Sequence, residues 1–180
     1  MNMRKWLSTA AVVLAVLAQS GCGYSLAGRG SFLPAYIKRI GIPLFANATT
    51  VFDLDRRVTD KVRAEFIGRG KWIIVPDQAG VDGVVIGTIT GVTLTPVAFN
   101  QQQQATRYAL SMTGSVEFKD LQANKVLWTN PSMAYREEFD VPASVNTLDT
   151  QTYFGQDANA LDRLSNEFAR ALVSAILEAF

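Results

Sequence analysis

The sequence predicts an α+β fold, a two-layer sandwich in which a mostly antiparallel sheet carries two amphipathic helices on one face. Leu54, Val58, Val62 and Phe66 recur every fourth residue among charged neighbours, and Leu161, Leu164, Phe168, Leu172, Ala175 and Ile176 repeat at helical spacing near the C-terminus. Tyr108, Leu110, Met112, Gly114, Val116 and Phe118 alternate with Arg107, Ala109, Ser111, Thr113, Ser115, Glu117 and Lys119, the period of a strand with one dry and one wet face. Two apolar helix stripes need a surface to cover, and a one-sided sheet supplies it.

The N-terminus reads as a targeting segment. Arg4 and Lys5 precede an uncharged run from Trp6 to Ala18, and Gln19-Ser20-Gly21 then leads to Cys22, the only cysteine. The run is short for a membrane span, which needs about 20 apolar residues. Small residues before a lone cysteine resemble the lipobox of bacterial lipoproteins, in which the cysteine becomes the acylated first residue. Gln19 stands where such boxes usually carry Leu. A freely secreted chain and a buried N-terminal helix are the alternatives. Several acyl chains give stable anchoring where one is marginal.

The domain boundaries follow: residues 1–21 as signal peptide, 22–36 as a glycine-rich lipid-anchored tether and 37–180 as the folded domain. Removing 1–21 leaves 15 basic against 16 acidic residues, a net charge of −1. That balance argues against nucleic acid as a partner, since such domains show a basic face. One cysteine permits no internal disulfide, so stability comes from packing.

Within the domain, Ile37 to Phe45 is a strand ending near Pro43, which cannot donate to a sheet ladder. Asn47 to Thr50 is a turn, and the first helix follows with Asp53 or Asp55 at its positive end and Gly68 or Gly70 at its close. Lys71 to Val75 is a short strand stopped by Pro76. Gly83 to Phe99 is a long strand rich in Val, Ile and Thr, whose Gly87 and Gly91 predict a close approach, a bend or a bulge. Asn100 to Gln104 forms the polar tip of a long antiparallel hairpin with 107–119. Lys125 to Pro131 adds a meander strand, which Met133 to Phe139 extends past a bulge at Pro131. Residues 140–157 have no clear period, and Asp157 or Asn159 would cap the closing helix.

Catalysis finds no foothold. The chain has no histidine, which removes the commonest general base, the Ser-His-Asp arrangement and the most frequent transition-metal ligand. There is no phosphate-binding Gly-Lys-Ser or Gly-Lys-Thr, and Gly68-Arg69-Gly70-Lys71 reads as a helix stop. Glu137 and Glu138 point to opposite faces of an extended segment, and Asp53, Asp55 and Asp60 lack the spacing of a calcium loop. The expectation is therefore no enzyme, no cofactor and no metal. Arg56, Arg57, Lys61 and Arg63 crowd one helix, read either as a solvated face or as a contact for anionic groups. Trp72 and Trp128 read as core or interface anchors.

Cys22-Gly23-Tyr24-Ser25-Leu26, then Leu33-Pro34, then Ile37-Lys38-Arg39-Ile40-Gly41-Ile42-Pro43-Leu44-Phe45 resembles the start of LptE, the lipopolysaccharide-assembly lipoprotein family of the Gram-negative outer membrane. The order of elements agrees along the whole mature chain. The resemblance implies a non-enzymatic protein, lipid-anchored through Cys22, that plugs the barrel of an LptD-like partner, helps it assemble and serves lipopolysaccharide transport to the cell surface. It implies lipopolysaccharide contacts near the hairpin tip, which in this sequence fall on Gln101, Gln102 and Arg107. The tip lacks the basic residues of the family, and 140–157 contains no Lys or Arg. Gly23 stands where an inner-membrane retention signal shows Asp, which favours the outer membrane. The same Ile40 to Phe45 strand also resembles other envelope lipoproteins of secretion or surface-assembly complexes.

Overall fold

The two alternating segments become one long antiparallel hairpin around which the other elements are placed. The computed structural model describes residues 33–141 and 160–179. These form β1 (Arg39–Gly41), β2 (Ala46–Asn47), α1 (Leu54–Gly68), β3 (Ile73–Val75), β4 (Gly83–Phe99), β5 (Ala105–Asp120), β6 (Lys125–Asp140) and α2 (Ala160–Glu178). The sheet order is β3-β1-β4-β5-β6, with β2 also on β4. The long pairings, β4 with β5 and β5 with β6, are antiparallel, whereas β1 and β2 run parallel to β4 and β3 runs parallel to β1. Parallel neighbours follow from the crossover through α1, because a strand that returns through a helix re-enters the sheet in the same direction.

The strand expected over 37–45 is confined to 39–41, and a second short strand follows at 46–47, reaching into Asn47, which was expected to begin a turn. β1 pairs with β4 at Gly83 and Val84, and β2 pairs with the same strand at Thr88 and Ile89, so the two lie along one edge with a break at Pro43. The helix satisfies the groups that the break leaves. Arg63 donates from Nε and Nη2 to the Ile42 carbonyl at 2.9 and 2.7 Å, and the Phe45 amide donates to the buried Thr59 hydroxyl at 3.0 Å. Thr59 in turn donates to the Asp55 carbonyl at 2.6 Å.

Gly87 is the place of a close approach. A Cβ at that position would stand 2.3 Å from Cε2 of Phe45, whose ring fills the space. Gly91 has a different role: the β4–β5 register shifts between Ile89 and Gly91, so Thr90 is the extra residue of a bulge. Opposite Ser115, β6 bulges at Pro131 and Ser132, as expected for a proline inside a strand.

One core joins the layers. Leu54, Val58, Val62 and Phe66 of α1 and Leu164, Phe168, Leu172 and Ile176 of α2 are fully buried with Val85 and Ile89 of β4 and Leu110, Met112, Val116 and Phe118 of β5. Both helices cover the same sheet face and touch each other. Lys61 reaches Asp162 at 2.9 Å, and Arg69 donates to Ser174 at 3.0 Å. Trp72 meets Phe66 edge to face, with ring centroids 6.2 Å apart. Leu33 and Ile37 also belong to this core, so the packed unit already includes Leu33.

Candidate functional site

The sheet face turned away from the helices is built by the bulge at Thr90. Before it, Val85, Gly87 and Ile89 face the core; after it, Val92 and Leu94 do, which reverses the parity of β4. Thr88, on one side of the bulge, and Thr93 and Thr95, on the other, therefore share one outer face. Their register partners are Ser115, Ser111 and Ala109 of β5, and Ser111 is opposite Arg136 of β6. The wet parity of 107–119 thus becomes part of a face lined with short hydroxyl side chains, bounded by Arg136 and Glu138, which pair at 3.0 Å.

At the far end of the hairpin, Asn100 organises the tip. Its Oδ1 accepts from the Gln102 and Gln104 amides at 3.0 and 2.9 Å, its Nδ2 donates to Gln104 Oε1 at 3.0 Å, and Gln103 takes a left-handed φ of 58°. Gln101 and Gln102 are consequently displayed to solvent on a defined turn. Arg107 is exposed beside them, but its Nε donates to Asp140 Oδ1 at 2.8 Å, and this bond holds the guanidinium yet more firmly protonated. Sequence reasoning missed the apolar part of the tip: Phe99 is 60% exposed and Val97 38%. The signal was present in Pro96-Val97-Ala98-Phe99, but strict alternation hides it, since two register shifts fall between Pro96 and Phe99.

The cations of α1 are committed inside the domain. Arg56 pairs with Asp53 at 2.7 Å, Arg57 approaches the same carboxylate at 3.4 Å, and Arg63 reaches both Ile42 and Asp60. Asp53 takes a left-handed φ of 62° at the helix start and makes no side-chain cap; the hydrogen bond from Arg56, with the charge of Arg57, holds its carboxyl below the usual range. A contact surface for anionic groups is therefore a poorer account of this helix than a paired, solvated face. Beside it lies a cavity of about 570 Å³ lined in part by Leu44, Asn47, Thr49 and Phe52, with Phe52 91% exposed on its rim.

At the opposite end of the sheet, Asp120 and Asp82 share an environment. Asp120 is fully buried; burial pushes its carboxyl up, but the Tyr36 hydroxyl and the Ala123 and Gln122 amides outweigh this and hold it below the usual range. The Arg39 and Lys38 amides do the same for Asp82, at 2.8 Å each. Both carboxylates are saturated by neutral donors, an arrangement suited to holding loops rather than moving protons. Among the described residues, no three acidic or cysteine side chains gather to hold a metal, and no helix is long and apolar enough to cross a membrane. Cys22, the 142–157 part of the unpatterned stretch and the expected caps Asp157 and Asn159 lie outside the described residues.

The chain is similar in fold to a hypothetical protein of Chlamydia trachomatis, at 11% identity and a TM-score of 0.52, over 79% of this chain and 96% of that one. A minor lipoprotein from Acinetobacter baumannii aligns at 12% identity and a TM-score of 0.48 over 81% and 94% of the two chains. Rare lipoprotein B from Shewanella oneidensis aligns at 10% and 0.45 over 78% and 98%. No curated protein sequence matches the chain. The model of the lipopolysaccharide-assembly family LptE matches residues 37–176, from two residues before β1 into the last turns of α2, and the chain therefore belongs to the LptE family.

Proposed function

We propose that this chain is a non-enzymatic outer-membrane lipoprotein, held by acyl groups on Cys22, that plugs an LptD-like β-barrel, assists its assembly and serves lipopolysaccharide transport to the cell surface. The observation that carries the reading beyond the family match is the outer sheet face. Parity reversal at Thr90 lines it with short hydroxyls, and the polar interior of a large barrel accepts such a face through many moderate contacts. The hairpin adds reach. Its strand of 17 residues spans about 55 Å at a strand's rise per residue, and a bilayer with its head groups is about 40–45 Å thick. Tyr36 meets Asp120 at one end of that hairpin, and the glutamine tip is at the other.

Lipopolysaccharide contact at the tip falls to Gln101, Gln102 and Arg107. Glutamine amides donate to phosphate less strongly than an ionised donor, and Arg107 shares its charge with Asp140. Exposed Phe99 and Val97 supply apolar surface beside them. Purification of the tagged chain from membranes in gentle detergent tests the proposal. A large barrel protein in equal amount is the expected result; recovery of the domain alone, or with a different secretion or surface-assembly complex, overturns it. Cys22→Ala should release the protein from the membrane fraction, and unchanged partition would remove the anchor from the reading.

A further inference from the structure

Leu33 and Ile37 are each 3% exposed and sit in the core, and the Ile37 amide donates to the Pro34 carbonyl at 2.9 Å. Residues 33–38 therefore form a short strap at the end of the sheet remote from the hairpin tip. Among the described residues, one strap side chain makes a hydrogen bond: the Tyr36 hydroxyl donates to Oδ2 of Asp120. The other oxygen of that carboxylate accepts from the Gln122 and Ala123 amides at 2.8 and 2.9 Å, which shapes the turn between β5 and β6. Gln122 Nε2 donates to Asp82 Oδ1 at 2.6 Å, and Asp82 Oδ2 receives the Lys38 amide at 2.8 Å. Strap, turn and the approach to β4 thus meet on two carboxylates, one of them fully buried.

We infer that the strap is a clamp with a closed and an open position, in which the Tyr36–Asp120 bond closes it and its loss lets residues 33–36 peel from the core while β1 stays in the sheet. The division of labour on Asp120 supports this. One oxygen serves the turn whether or not the strap is present; the other has Tyr36 as its donor and, once that donor leaves, faces water through the gap. Ile37 and the pairing of β1 with β3 and β4 set the limit of the opening. Opening adds four residues, up to about 13 Å, to the chain between the domain and its N-terminal segment. Read with the Cys22 anchor proposed above, on which this consequence rests, the clamp sets two stand-off distances from the membrane.

Hydrogen exchange measured by mass spectrometry on the full chain tests the clamp without reference to anchoring. Tyr36→Phe keeps the ring and removes the donor. It should raise exchange over residues 35–37 about tenfold or more, while residues 108–118 and 121–123 exchange as in the parent protein. Asp120→Asn should raise exchange in both the strap and the turn. Unchanged strap exchange in Tyr36→Phe overturns the inference, as does an equal rise across 108–118, which would mean general loosening. Should Asp120→Asn fail to fold, the Tyr36→Phe result decides alone. Failure of the anchor reading would appear instead in the membrane partition of Cys22→Ala.

Discussion

Single residues decide this fold where two chain segments come closer than a side chain allows. Gly87 is one such place, since the Phe45 ring occupies the position of its missing Cβ and is itself buried. Gly87→Ala should destabilise the domain by about 2 kcal/mol through overpacking, read as a fall in the denaturation midpoint at constant slope. In a Phe45→Leu background the same substitution should cost clearly less, because residues in contact do not add. Equal costs in the two backgrounds would show that the ring is not what excludes a side chain. A glycine in a strand announces only that something is special there. Gly87 and Gly91 carry the same signal in the sequence, yet one makes room for a ring and the other adjoins a bulge, a difference that depends on which neighbour arrives.

At the scale of elements, the helices are held by their apolar stripes far more than by their charges. Lys61–Asp162 is a partly exposed pair, and such pairs contribute about 1 kcal/mol at most. Phe168 is fully buried, with its ring 3.2 Å from where a Cβ on Gly114 would be. Phe168→Ala should cost about 3–5 kcal/mol, and Lys61→Met less than 1, in thermal or denaturant unfolding. Both stripes, the hairpin, the Pro131 bulge and the short strand at 73–75 were legible in the sequence, because each follows from a local period or a local breaker. The division of the first strand at Pro43 was only half legible. Proline marks the end of β1, but the resumption as β2 depends on Arg63 and Thr59 of α1 satisfying the backbone at the break.

For the molecule as a whole, two carboxylates and a tyrosine with shifted titration gather at the strap end of the sheet. The carboxyls of Asp82 and Asp120 are held below their usual range, so the folded chain binds fewer protons than the unfolded chain in acid. Their contribution is present above the unfolded carboxylate value, near pH 4, and is lost as pH falls through the lower folded values. Tyr36 is raised, first by its hydrogen bond to Asp120, so its contribution is present below about pH 10 and is lost as pH rises through the higher folded value. With no histidine in the chain, stability should be level between about pH 5 and 7. Thermal melts across pH should show an acid limb that flattens in Asp82→Asn and Asp120→Asn and an alkaline limb that flattens in Tyr36→Phe. An acid limb unchanged in both aspartate variants would assign acid sensitivity elsewhere.

The sequence by itself determined the class of fold, the placing of both helices on one sheet face, the long hairpin and the resemblance to the LptE family. All of these follow from periods, breakers and short motifs that neighbouring residues carry. Only the tertiary structure decided which parity of β4 faces the core, because one extra residue at Thr90 reverses it without changing composition. It also decided that the cations of α1 are spent on Asp53, Asp60, Asp162 and the Ile42 carbonyl, and that Tyr36 meets a carboxylate 84 positions away. The physical reason is the same in each case: periodicity records which face a residue takes, while its partner is chosen by segments distant in the chain that folding brings alongside.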